Sequence, residues 1–188
     1  MSVIASKRSI DVIQQDLSKQ LEVAQQAINK HLVPICGSEI AALPVYIDEN
    51  ASYPAYTTSL GIYLAGKVVR KDAANAHVYV MHEIGHHVIR NDELTLQYPA
   101  TLVNYAEDFW INYWMKDTWG FDVKAVKYKG IFNTKYGKML PHQACKCLSI
   151  KNKGKNFGGC GSLGYSHPTI RNIANKLRKT FNVGNTIS

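Results

Sequence analysis

Apolar residues recur at steps of three and four through Ile10, Ile13, Leu17, Leu21, Ala24 and Ile28, which predicts a long amphipathic helix from about Ser9 to Leu32, ended by Pro34. The stripe is short for a coiled-coil seam, so it is expected to pack across the chain's own core, with a helical dimer as the alternative. The period then changes. Pro44 to Ile47 and Ala55 to Val69 read as strands, the second alternating Leu60, Ile62 and Leu64 with Gly61, Tyr63 and Ala65. A helical period returns from Ala73 to Arg90, with Asp72 placed as its N-cap and Ala76, Val80, Ile84 and Val88 at steps of four. A further helix is expected from Pro99 to about Lys116, with Gly120 as its stop, and a last one from about Pro168 to Phe181. Helices around a few strands predict an α+β fold.

The Ala73 to Arg90 helix carries His82 and His86 with Glu83 beside the first. Each helical residue advances by about 100°, so the two imidazoles leave one face and can reach one metal ion, while Glu83 points to the side. This is the H-E-x-x-H signature of zinc hydrolases, in which the glutamate takes a proton from a water acidified by Zn²⁺. A helix that buries apolar residues at steps of four has no packing reason to hold two histidines, which favours a metal site over a chance arrangement of surface residues. His87 lies about 100° from His86 and reads as a surface or outer histidine, and His77 as a hydrogen-bonded helix histidine.

Catalytic zinc takes three protein ligands. Asp92 stands where the elongated H-E-x-x-H-x-x-G-x-x-H/D pattern puts the third, but the glycine that turns the chain under the metal is Ile89 here, and a β-branched residue resists positive φ. The middle of the next helix offers Glu107 and Asp108 instead.

An H-E-x-x-H helix followed by a second helix bearing a carboxylate resembles the gluzincins. The run N-x-A-x-D-x-x-x-N, here Asn104, Ala106, Asp108 and Asn112, is similar to that of metallopeptidases often encoded beside von Willebrand A-type proteins. The resemblance covers roughly residues 70 to 120 and implies a zincin-like fold, a small mixed or antiparallel sheet packed on the active-site helix. It implies Asp108 as third ligand and Asn112 as an outer partner. Strict gluzincins use Glu, which keeps Glu107 as the alternative. In such peptidases a sheet edge above the active helix takes the substrate backbone as an extra strand, and Ser59 to Gly66 is the candidate here because small residues let another backbone approach. The segment Tyr165-Ser166-His167-Pro168 with Arg171 resembles one that closes some gluzincins, which implies that His167, Tyr165 or Arg171 stabilises an oxyanion. From its residues alone it is a helix start, with Ser166 or His167 as cap and Pro168 in the first turn.

Composition adds a single-domain expectation for residues 1–188: the chain is 46% hydrophobic and no Pro/Gly/Ser linker or repeat divides it. The polar residues Asp11, Gln14, Gln15 and Asp16 come early and no run reaches transmembrane length, so a cytoplasmic protein without a membrane partner is expected. The net charge of +8 hides an asymmetry, since all 14 acidic residues lie at or before Asp122 and the 66 residues after it carry 13 basic ones. Such a block attracts nucleic acid, another acidic partner or the acidic half of its own fold. Lys124, Lys127, Lys129, Lys135 and Lys138 interleave with Tyr128, Phe132 and Tyr136, as phosphate contact and base stacking require, but two arginines and no nucleic-acid motif favour a solvated basic surface. Cys145, Cys147, Cys160 and His167, with His142 nearby, could form a second, structural zinc site; reduced thiols are the alternative reading, and Cys36 reads as a buried small side chain. The functional expectation is a zinc metallopeptidase acting on peptide or protein. The alternative is a non-catalytic, zinc-stabilised binding protein for nucleic acid or an acidic partner.

Overall fold

In the computed structural model, which describes residues 10–89, 92–127 and 132–151, the first amphipathic stripe forms α1 (Ile10–His31). Ala24 and Ile28 are buried, Leu17 and Leu21 pack against the core, and α1 lies on the histidine-bearing helix, so the stripe is consumed inside the fold. There follow α2 (Val33–Cys36), a 3-10 turn (Ser38–Ala42), β1 (Val45–Asp48), β2 (Ala55–Thr58), β3 (Gly61–Ala65), α3 (Gly66–Asp72) and a second 3-10 turn (Ala73–Asn75). The chain continues through α4 (Ala76–Ile89), α5 (Asp92–Gln97), α6 (Ala100–Thr118), α7 (Thr134–Gly137) and α8 (Pro141–Lys151). The architecture is α+β, mostly helical with one three-stranded sheet among the described residues. Among those residues no helix is long and apolar enough to cross a membrane.

The strand order is β1-β3-β2, with β3 parallel to β1 and antiparallel to β2. This corrects the expectation for Ser59 to Gly66, since β3 is the central strand and is hydrogen-bonded on both sides. Its composition carries the reason: Ile62, Leu64 and Ala65 are buried and Tyr63 is half-buried between neighbouring tyrosines, as a strand flanked on both sides requires. The approach that the small residues permit is taken by the chain itself. Gly61 has φ +148°, and a Cβ there would sit 2.5 Å from the carbonyl oxygen of Pro44 at the start of β1. Residues 66–69, expected as strand, open α3 instead. Among the described residues the edges are β1 and β2.

Asp72 is the last residue of α3 and not the side-chain cap of the next helix. Its buried carboxylate accepts from the Tyr79 hydroxyl at 2.6 Å, Asn75 Nδ2 at 2.8 Å and the Lys127 backbone N–H at 2.7 Å, which ties the start of α4 to the segment after α6. Three donors outweigh one capping bond for a carboxylate removed from water.

α4 buries Ala76, Val80, Ile84 and Val88 as its periodicity requires. It meets α6 at Gly85, where a Cβ would lie 2.7 Å from Cγ2 of Ile111. Glycine inside a helix costs roughly 0.5–1 kcal/mol relative to alanine, and here that cost accompanies a close helix crossing. Ile111 is three residues after Asp108, so the same crossing brings the middle of α6 against the histidine face.

Candidate metal centre

α4 turns His82 and His86 toward α6, and α6 answers with Asn104, Asp108 and Asn112, whose spacing of four places them along one stripe, and with Glu107 beside it. Nε2 of His82 lies 3.2 Å and Nε2 of His86 lies 2.9 Å from the same oxygen, Oδ1 of Asp108. One ligand atom from each of these three residues lies within 4.8 Å of the other two, and this is the single such metal-capable group of His, Cys, Asp and Glu among the described residues.

The far side of each ring is also occupied. Nδ1 of His82 is 3.0 Å from Oδ1 of Asn112, and Nδ1 of His86 is 3.3 Å from Oε2 of Glu107. Both acceptors require a proton on Nδ1, which in a neutral imidazole leaves the lone pair on Nε2. Two lone pairs then face one carboxylate oxygen. Only positive charge between them resolves that arrangement, either added protons or a metal cation, and two imidazole nitrogens with one carboxylate oxygen suit a divalent metal. Asn104 Nδ2 donates to Oδ2 of Asp108 at 3.2 Å and so directs Oδ1 to the histidines.

The pocket is electrostatically built for a cation. Burial lowers the pKa of His86, but its bonds to Asp108 and Glu107 outweigh burial and raise it to about 10. Burial also pushes Asp108 upward, against which the two histidines hold it well below the usual carboxylate range. Glu83 is 8% exposed and outside the three-residue group. Burial raises its pKa, opposed by His82 and His86.

The two carboxylates of α6 therefore have different places. Asp108 meets both Nε2 atoms, while Glu107 sits behind His86, because adjacent helical residues diverge by about 100°. Asn112, placed by resemblance as an outer partner, contacts His82. The bracing of His86 by Glu107 and of Asp108 by Asn104 comes from the packing of the two helices, although the spacing of Asn104 and Asn112, each four residues from Asp108, is a signal for it. Asp108→Ala is expected to abolish stoichiometric zinc binding, and Glu107→Ala to retain it with affinity reduced about 10–100-fold, the usual effect of losing an outer partner. Zinc competition against a chromogenic chelator measures both; the opposite ranking would make Glu107 the ligand.

His87 is buried rather than at the surface, and its Nε2 meets Oγ1 of Thr57 on β2. It lies on the face of α4 that covers the sheet, and it ties edge strand β2 to α4. His77 sets its ring edge-on to Phe121 at 5.3 Å, and its buried Nδ1 has no hydrogen-bond partner among the described residues, contrary to the expected bonded histidine. Burial lowers its pKa. Asp92 opens α5.

Cys36 is buried, as expected of a small side chain near Pro34. Cys145 and Cys147 lie on α8, two residues apart and so about 200° around the helix, which does not turn their thiols to one point. Cys145 is fully buried among Leu94, Val103, Ala106 and Ala144, and burial, then Glu107, pushes its thiol up to about 12. Cys160, His167, Tyr165, Arg171 and the helix expected to reach Phe181 lie outside the described residues. In the basic part, the ring of Phe132 is overlaid by Lys116 Nζ at 5.3 Å and Lys124 Nζ at 5.5 Å, and that of Tyr136 by Lys135 at 6.0 Å. Both rings also pack against apolar clusters, so these aromatics are engaged within the fold.

No protein-family model, curated protein or solved structure matches the chain.

Proposed function

We propose that this protein is a zinc-dependent peptidase with a zincin-like, gluzincin-type centre in which His82, His86 and Asp108 hold the ion. The observation that carries the reading is the convergence of two Nε2 atoms on Asp108 Oδ1, with Glu83 buried alongside but not in the ligand group. A zinc ion held by His82, His86 and Asp108 would supply Lewis acidity toward the scissile carbonyl and a water. Glu83 is the base placed to take a proton from the attacking water and to pass it to the leaving amine. Asn112 and Glu107 keep the imidazole rings oriented, and Asn104 does the same for Asp108. The sheet edge for the substrate backbone is β2, the outer strand linked to α4 through Thr57 and His87. A site that served only to stabilise the fold has no use for Glu83, which sets the zinc-stabilised binding protein behind this reading.

The test is hydrolysis of an unstructured protein or a peptide library. Cleavage is expected to stop on chelation and to return with added zinc. A fully zinc-loaded, correctly folded protein that cleaves nothing in the library would move the assignment to the binding protein.

A further inference from the structure

Beyond the metal centre, the other sheet edge has the features of a symmetric pairing surface. Just before β1, the Pro44 carbonyl accepts from the Ile62 N–H at 2.9 Å, and the register runs Val45 to Ile62, Tyr46 to Tyr63 and Ile47 to Leu64. In a parallel pair the N–H and C=O of one residue point to the same side and alternate along the strand. Pro44, Tyr46 and Asp48 thus direct their main chain to β3, and Val45 and Ile47 direct theirs outward. Of the usual protections of such an edge, β1 has only its four-residue length and one charge, Asp48, at its end. Val45, Tyr46 and Ile47 are uncharged, and the N–H missing from Pro44 falls on the β3 side, where it blocks no added strand.

Both faces of this edge are unfinished. Tyr46 is 44% exposed on the outer face and Ile47 51% exposed on the opposite one, although its neighbour across the ladder, Leu64, is fully buried. On the outer face the tyrosines form a ladder with one ring per strand, Tyr56 to Tyr63 at 4.8 Å and Tyr63 to Tyr46 at 5.1 Å. That repeat matches the strand spacing of about 4.8 Å, and it stops at Tyr46 only because the sheet does.

We propose that a second copy of this chain adds its β1 antiparallel to this one, making a two-fold symmetric dimer with a continuous six-stranded sheet. The outward N–H and C=O groups specify the register: Val45 exchanges two hydrogen bonds with Ile47 of the second copy and Ile47 exchanges two with its Val45, which places Tyr46 on the axis opposite its own symmetry mate. The ladder then runs through six rings. Ile47 is covered by Val45 of the second copy, and Asp48 falls opposite Pro44, so no like charges meet. Four-residue strands make a small interface, so the dimer is concentration-dependent. The β2 edge remains open.

Sedimentation over a range of concentrations and cysteine cross-linking test this on the full chain. The wild type is expected to shift from monomer to dimer with concentration, and Ile47→Lys, at an exposed position, to remain monomeric with unchanged circular dichroism and zinc content. Directly opposed residues of this pair type have Cα atoms about 4.5 Å apart, within disulfide reach. Tyr46→Cys is therefore expected to form an intermolecular disulfide mapping to position 46 on mild oxidation. Tyr63→Cys, one strand further in, lies about three strand spacings from its mate and is expected to form none. A wild type that stays monomeric throughout, a dimer untouched by Ile47→Lys, or equal cross-linking at positions 46 and 63 each overturns the proposal; pairing of the edge with some other protein appears as a monomer and counts against it.

Discussion

His82→Ala is expected to remove one equivalent of bound zinc while leaving the fold intact. Its side chain is 20% exposed, so truncation opens space that water can enter, and the acceptor left behind, Asn112, is neutral. The loss in affinity exceeds the roughly 10–100-fold effect of losing an outer partner, because a directly binding donor is gone. His86→Ala is expected to cost more. His86 is buried between Asp108 and Glu107, and deleting it leaves two buried carboxylates facing one another without the imidazole that separates them. Breaking one side of a buried charged pair costs on the order of 3–5 kcal/mol, so this variant loses metal and thermal stability together. Metal analysis of protein purified under reducing conditions, paired with thermal unfolding, separates the two effects. Zinc content that is unchanged in the double substitution would remove the metal centre from consideration.

Glu83→Gln is expected to abolish peptide hydrolysis with zinc still bound. Glutamine preserves the size and much of the hydrogen bonding of the carboxylate but accepts no proton near neutral pH. General acid–base catalysis contributes about 10²–10⁴-fold, so the residual rate should fall by at least that range. The fold is expected to tolerate the change, since burial already disfavours the charged form of this side chain. Loss of zinc in this variant would mean that Glu83 is itself a ligand. Undiminished hydrolysis would mean that another base, or another protein in the preparation, does the work.

Whatever depends on one helix or one strand is legible in the chain of letters. The α1 stripe, the burial of Ala76, Val80, Ile84 and Val88, and the shared face of His82 and His86 all follow from a rotation of about 100° per residue, which needs no knowledge of what the helix packs against. The choice between Glu107 and Asp108 is different. Local spacing makes them equivalent acids on neighbouring positions, and only the rotation of α6 about its own axis, set where Ile111 lies against Gly85, sends Asp108 to the two Nε2 atoms and Glu107 to the back of His86.

Strand order was likewise decided by the tertiary structure. The small residues around Gly61 do mark a close backbone approach, but the sequence does not say whose backbone comes; the parallel return of β1 claims it and makes β3 central. The same holds for His87, whose place beside His86 says nothing of the sheet that covers it, and for Cys145, whose pairing with Cys147 in the sequence is undone once a helix turns them to different sides. Periodicity along the chain determines which face a residue occupies on its own element, because that is a matter of backbone geometry. Which face meets which depends on contacts between residues far apart in sequence, where close packing admits one arrangement among many that the pattern allows.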